Sequence, residues 1–175
     1  QPGSPPEYDF LVARQLELDG QVDDALAAYQ RALGKDPDSP FLHRTTAELL
    51  ARSGRVEDAL PYAERAQQLE PDDDDLRLFL GTLYRIRKDT PAAERMLRRD
   101  DGEPLDPDAA LLLYGLYSDT DRLEDALRIA EWMVRNDATN LRSHFALARV
   151  YERMERPAEA ERALRAGLKS HPGSL

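Results

Sequence analysis

Apolar residues recur along the chain in short stripes at helical spacing, and turn residues separate one stripe from the next. The first stripe runs from Phe10 to Leu16 and ends before Asp19-Gly20, and the second runs from Val22 to Leu33. Together they predict two amphipathic helices joined by a tight turn. We expect Gly34 to end the second helix in the left-handed conformation, with a proline shortly beyond it preventing continuation.

This pair of stripes returns about every 34 residues. One alanine of the second stripe recurs at Ala25, Ala59, Ala93, Ala126 and Ala160. Twelve residues before each alanine stand Ala13, Ala47, Gly81, Tyr114 and Ala148, which are small in all copies but one. The sequence therefore predicts five copies of a two-helix unit. Small residues in both columns allow the two helices to approach closely, and each unit must stack on a neighbour to bury its apolar face.

The period and these columns resemble the tetratricopeptide repeat over nearly the whole chain. The resemblance implies an all-α fold, an α-solenoid of about five stacked helix-turn-helix units in a right-handed superhelix. The predicted units are residues 6–39, 40–73, 74–106, 107–140 and 141–174, after a disordered leader at 1–5. The stretch "RRDDGEPLDPD" at 98–108 makes the end of the third unit irregular, and Tyr114 does the same for the fourth. We expect the junction between them to be the least regular.

Composition excludes several classes of function. The formal charge of -10 and the pI near 4.8 disfavour binding to nucleic acid or to anionic membranes. The chain contains no cysteine, so thiol catalysis and disulfides are excluded, while the compartment, cytoplasmic or exported to the periplasm, stays open. No apolar run is long enough to insert into a bilayer. Because the chain starts at Gln1, we expect a fragment of a longer protein.

No catalytic or cofactor motif is present in the sequence. The histidines, His43, His144 and His171, lack the spacing of a zinc site. The acidic run Asp72–Asp75 precedes a predicted helix, which favours capping of that helix over metal binding. We therefore expect no enzymatic activity, no metal and no cofactor.

The resemblance implies a concave groove lined by the first helix of each unit. The predicted protein-binding residues are Phe10, Arg14, Phe41, Arg44, Arg52, Leu78, Arg85, Phe145, Arg149 and Arg153. Arginines and phenylalanines suit a partner protein or peptide with acidic and apolar side chains. The sequence leaves open whether a convex or edge surface, or self-association, is used instead. Trp132 is a candidate anchor on the outer face.

These features predict a non-catalytic scaffold or adaptor that mediates protein–protein interaction. The alternative is a substrate-presenting accessory domain, belonging to a larger enzyme or to a secretion or envelope assembly machine.

Overall fold

The computed structural model describes residues 4–170, and within this range the chain forms ten α-helices and an isolated β-bridge, with no strand. The helices are α1 (Pro6–Leu18), α2 (Val22–Lys35), α3 (Pro40–Arg52), α4 (Val56–Leu69), α5 (Asp74–Ile86), α6 (Thr90–Leu97), α7 (Pro107–Asp119), α8 (Leu123–Asn136), α9 (Leu141–Arg153) and α10 (Pro157–Lys169). The predicted all-α helical repeat is confirmed. Residues 1–3 of the predicted leader, the end of the fifth predicted unit and His171 lie outside the described residues.

The chain divides into two compact units, Gln1–Met96 and Leu97–Leu175. The N-terminal unit contains α1 to α5 and nearly all of α6, and the C-terminal unit contains α7 to α10. Their boundary falls in the region for which the sequence predicts the least regular junction.

The two small-residue columns of the repeat form the core of the N-terminal unit. Ala13 and Ala25, which belong to α1 and α2, are fully buried in one apolar cluster with Tyr29. Ala47 and Ala59 are equally buried in a second cluster, on α3 and α4. Because none of these alanines carries a long side chain, the backbones of each pair can pack closely.

The C-terminal unit repeats this arrangement with one exception. Ala148 of α9 and Ala160 of α10 are buried in one cluster with Ala163. In α7 the small residue is replaced by Tyr114, which is half-buried and donates its hydroxyl hydrogen to the Ala146 carbonyl at 3.3 Å. The larger side chain is therefore accommodated at the contact between α7 and α9.

Four of the first helices begin at a side-chain cap. The carboxylate of Asp73 accepts a hydrogen bond from the Leu76 amide at 2.9 Å, and Asp106 accepts one from the Ala109 amide at 2.7 Å. Ser39 and Asn140 cap α3 and α9 in the same way. These caps satisfy amides that have no partner within the helix, and Asp73 thus serves the capping role predicted for the acidic run.

The turn inside each helix pair contains one residue in the left-handed conformation. The five residues are Gly20, Gly54, Lys88, Asp121 and Glu155, with φ between 57° and 75°. They occupy equivalent places in the repeat, although the last three carry side chains that make this conformation less favourable. The closing of the helix pair therefore sets the turn geometry even where the local residue opposes it.

A short looped segment, Leu97–Asp106, stands before α7 in the C-terminal unit. The Leu105 amide donates to the Leu97 carbonyl at 3.0 Å, and the Arg99 amide donates to the Glu103 carbonyl at 2.8 Å. Pro104 and Leu105 are buried. Arg98 donates from Nη2 to the hydroxyl of Tyr117 at 2.9 Å, and Tyr117 is itself fully buried on α7. The irregular sequence thus closes on itself through backbone bonds, and Arg98 attaches it to Tyr117 of α7.

The prediction that Gly34 ends α2 in the left-handed conformation is wrong. The helix continues through Lys35, and the φ of Gly34 is not positive. A glycine one residue before a helix end can stay helical when the residues after it still form helical hydrogen bonds. Here the Asp36 amide donates to the Ala32 carbonyl.

This difference gives a matched pair of glycine substitutions. A Cβ at Gly34 would meet nothing within 4 Å, so Gly34→Ala is expected to stabilise the chain by about 0.5–1 kcal/mol through helix propensity. A Cβ at Gly167 would lie 2.8 Å from the His144 Cβ, so Gly167→Ala is expected to destabilise by about 1–2 kcal/mol. Urea unfolding followed by circular dichroism measures both changes. Equal stabilisation by the two substitutions would contradict the packing of α10 on His144.

Candidate protein-binding surface

In the N-terminal unit the structure brings together predicted residues from α1 and α3. The rings of Phe10 and Phe41 lie with their centroids 5.2 Å apart at an interplanar angle of 58°. Phe10 is half-buried and also contacts Tyr29 at 6.0 Å between centroids, whereas Phe41 is 57% exposed. The two rings therefore form an aromatic patch in which the ring on α1 is half-buried and the ring on α3 is exposed.

A cavity of about 170 Å³ adjoins this patch. The residues that line it are Pro6, Glu7, Phe10, Asp36, Ser39, Phe41 and Leu42. This volume is far above the roughly 10–15 Å³ that one water needs, and below the several hundred Å³ typical of a small-molecule site. The cavity is thus sized for a single side chain. A second cavity of the unit, of about 390 Å³, lies between α2 and α4 and is lined by Arg55, Asp58 and Tyr62 among others.

Beside the cavity, a buried carboxylate is fully paired. Asp9 is 3% exposed, and its carboxylate accepts from Lys35 Nζ and, at 3.1 Å, from Arg31 Nε. The hydrogen bond from Lys35 holds the pKa of Asp9 below its usual range, and the bond from Arg31 acts in the same direction although burial opposes both. The negative charge of Asp9 is therefore neutralised within the chain.

Three of the predicted arginines are already engaged in ion pairs. Arg14 Nη1 lies 2.7 Å from Glu17, and Arg52 pairs with Glu17 from the neighbouring helix. Arg44 bridges two acids, with Nε 3.0 Å from Glu48 and Nη1 3.0 Å from Asp73. These arginines and acids form a network across α1, α3 and the start of α5 that holds the first helices side by side.

Tyr29 supports this network from below. Its hydroxyl donates to Glu17 at 2.9 Å, and burial raises the pKa of Tyr29 to about 12. The phenol therefore remains a neutral donor at physiological pH and adds to the bonds that fix Glu17.

Arg85 on α5 differs from these arginines. Its Nε is buried and has no hydrogen-bond partner, and among residues 4–170 no carboxylate forms an ion pair with it. Two apolar side chains lie on the same helix. Leu78, a predicted binding residue, is half-buried, and Ile86, which follows Arg85 in the sequence, is 55% exposed. A guanidinium with one unpaired buried donor thus lies on a helix that also carries two accessible apolar side chains.

In the C-terminal unit the predicted residues lie on α9. Phe145 is 52% exposed, and Arg149 is exposed without an ion pair to any residue of the described range. Arg153 donates to the Ser118 carbonyl at 2.9 Å and to the Asp121 carboxylate at 2.8 Å, so it connects α9 to the end of α7. Leu111 of α7, 47% exposed, was not in the predicted set, although its place in the repeat equals that of Phe145.

The remaining candidates from the sequence, Trp132 and two of the histidines, lie close to hydrogen-bond partners within the chain. Trp132 is half-buried on α8, and its carbonyl accepts from the Asn136 side chain. His144 Nε2 lies 3.0 Å from the Ala138 carbonyl, and His43 Nε2 lies 2.9 Å from the Pro37 carbonyl. Across residues 4–170, no group of three or more histidine and acidic side chains is arranged to hold a metal ion. None of the helices in this range has the length and apolar character needed to cross a membrane.

One sequence model of the tetratricopeptide repeat matches residues 4–40, 13–75 and 116–174, and a second model of the same repeat matches 50–102. These matches cover more than half of the chain. The chain belongs to the tetratricopeptide repeat family. The resemblance seen in the alanine columns is therefore confirmed, and membership of the family makes the protein a helical scaffold of the kind used for protein interaction. A search of curated proteins gave no match.

Solved structures of other tetratricopeptide repeat proteins share the fold at low sequence identity. A MamA protein is 18% identical to this chain with a TM-score of 0.80, and the match covers 97% of this chain and 96% of the MamA chain. MamA from Desulfovibrio magneticus RS-1, from residue 41 to the end, is 16% identical with a TM-score of 0.75 and 98% coverage of both chains. YrrB, described as having an unusual peptide-binding site, is 18% identical with a TM-score of 0.70, and covers 95% of this chain and 86% of its own.

Proposed function

We propose that this tetratricopeptide repeat protein binds an acidic, partly apolar peptide segment of a partner protein along the exposed face of its first helices. In the N-terminal unit this face is formed by α1, α3 and α5, and in the C-terminal unit by α7 and α9. The single observation that carries the proposal is Arg85, whose buried Nε has no partner among the described residues. A buried donor without an acceptor costs free energy, so a ligand carboxylate that draws the Arg85 guanidinium towards itself would relieve that cost.

The groups around Arg85 define the rest of the ligand. Leu78 and Ile86 offer apolar contact on α5, and Ile86 is more than half exposed. An acidic residue with an apolar neighbour would therefore place its carboxylate on Arg85 and its apolar side chain against α5. Arg14, Arg44 and Arg52 contribute less to such a ligand, because their charges are already balanced by Glu17, Glu48 and Asp73.

Two further facts favour the first-helix face. Phe41, Leu111 and Phe145 are large apolar side chains that are about half exposed or more, and all belong to first helices. The description of the similar protein YrrB records a peptide-binding site on the same fold.

The proposal predicts that Arg85→Glu weakens peptide binding at least about tenfold, the loss of one charge-assisted hydrogen bond of about 1.4 kcal/mol or more. A library of random peptides is selected against the chain, and enriched peptides are measured by fluorescence anisotropy. The matched control is Arg95→Glu, an equal charge reversal at an exposed arginine of α6.

Enriched peptides rich in acidic and apolar residues, with affinity lost in Arg85→Glu and kept in Arg95→Glu, support the proposal. Equal loss in both variants would reduce the effect to overall charge. Affinity unchanged in Arg85→Glu would mean that the peptide binds elsewhere on the protein.

A further inference from the structure

The cavity beside Phe10 and Phe41 is lined by two acidic residues that pair with no cation of the described residues. Glu7 and Asp36 are both exposed, and within residues 4–170 neither carboxylate forms an ion pair. Among the described residues that line the cavity there is no arginine or lysine. Asp9, which precedes the cavity residue Phe10 on α1, receives bonds from both Arg31 and Lys35. The unpaired carboxylates are thus a local feature of the cavity, because cationic side chains are available nearby and pair with Asp9 instead.

The next junction of the same unit shows what the chain places at the equivalent position. A shift of 34 residues carries Phe10 to Arg44, Ser39 to Asp73 and Phe41 to Asp75. Arg44 points its guanidinium at Asp73, with Nη1 3.0 Å from the carboxylate, and its Nε bonds Glu48. In the second junction, therefore, the residues equivalent to Phe10 and Ser39 form an ion pair, Arg44 with Asp73.

The walls of the first cavity suit the same chemical group. Aromatic faces attract cations, and the tilted rings of Phe10 and Phe41 present an aromatic corner with one ring largely exposed. A planar guanidinium can stack on a ring and donate hydrogen bonds to carboxylates at its edge. We propose that this cavity binds the side chain of an arginine residue presented by a partner polypeptide. The inference rests on the proposed function, to which it adds a basic anchor at the opposite end of the unit from Arg85.

The helix ends at the cavity do not favour an anion instead. Pro6 and Pro40 occupy the first positions of α1 and α3 and have no N–H to donate. The Leu42 amide is taken by Ser39, and the Tyr8 amide donates to the Pro5 carbonyl. The formal charge of -10 on the chain further favours a cationic ligand.

The test uses single blocked amino acids, so it needs no knowledge of the partner. The isotope-labelled chain is titrated with N-acetyl-arginine N-methylamide, and chemical shifts of Glu7, Phe10, Asp36 and Phe41 are followed by NMR. The blocked forms of citrulline, which has a similar shape without charge, and of glutamate are titrated in parallel. Saturable shifts confined to the cavity are expected with arginine, at an affinity at least about tenfold above that of citrulline.

Variants then assign the binding to named groups. The double variant Glu7→Gln with Asp36→Asn is expected to lose at least about tenfold in arginine affinity, and Phe41→Leu is expected to weaken it while keeping the cavity apolar. Glu70→Gln is the matched control, because Glu70 is the equivalent of Asp36 in the next junction. These positions are exposed, so an unchanged thermal unfolding midpoint verifies that the variants fold.

Absence of saturable shifts with arginine would overturn the inference, as would equal affinity for citrulline or stronger binding of glutamate at the same residues. The proposed function is contradicted by a separate result, namely enriched peptides that bind the Arg85→Glu variant with unchanged affinity. Arginine binding in the cavity together with that result would leave the cavity assignment standing and remove the peptide face around Arg85.

Discussion

Replacing Tyr117 with alanine is expected to destabilise the C-terminal unit by about 3–5 kcal/mol. The ring is fully buried on α7, and the Arg122 guanidinium lies 4.5 Å from its centroid. The hydroxyl accepts hydrogen bonds from Arg98 Nε at 3.3 Å and Nη2 at 2.9 Å. Loss of the ring leaves a cavity and also releases the attachment of Leu97–Asp106 to α7. Urea unfolding gives the stability change, and amide hydrogen exchange shows where protection is lost.

Tyr117→Phe separates these two effects. It keeps the buried ring and removes the acceptor, so we expect a smaller loss of about 1–2 kcal/mol, concentrated in exchange of the Leu105 amide. An alanine variant with the urea midpoint of the wild type would show that the ring is not a core residue. Equal exchange in the loop and in α10 would show that Tyr117 does not hold the loop in particular.

The substitution Ala59→Leu is expected to destabilise the N-terminal unit by about 1–3 kcal/mol through overpacking. Ala59 is fully buried on α4, where it contacts a cluster that includes Ala47, Leu50 and Leu83. A leucine there must displace side chains from both neighbouring helix pairs, since the cluster extends to α5. Thermal unfolding followed by circular dichroism measures the change.

Ala27→Leu is the matched control for this substitution. Ala27 is an exposed alanine in the interior of α2, so the same added side chain projects into solvent and should change stability by less than about 0.5 kcal/mol. If Ala59→Leu and Ala27→Leu unfold at the same temperature, the register assigned to the alanine columns is wrong.

The fold could be predicted from the sequence because its core consists of periodic small residues. Ala25 and Ala59 have their burial fixed by the closeness of two helices, and this requirement repeats with the unit. Local chemistry was a weaker guide. At Gly34 a residue associated with helix ends continues a helix, and nothing in its immediate neighbours distinguishes the two outcomes.

The sequence indicated candidate binding residues, but it did not show which of their charged side chains are paired within the chain. The pairing of Arg14 with Glu17 and of Arg44 with Glu48 is visible in their spacing along one helix. The pairing of Arg52 with Glu17 depends on how α1 and α3 are placed against each other, which the spacing of residues does not give. For the same reason Asp36, a residue of a connecting loop, could not be assigned to the cavity with Glu7 before the structure was known.

The left-handed turn residues have a consequence for how such a chain can change. Lys88, Asp121 and Glu155 hold the same backbone shape as Gly20 and Gly54, although they carry opposite charges. The backbone shape of the turn is thereby independent of the identity of its side chain. At each of these turns, a substitution can alter the local surface potential while the backbone shape that joins the two helices of the pair is kept.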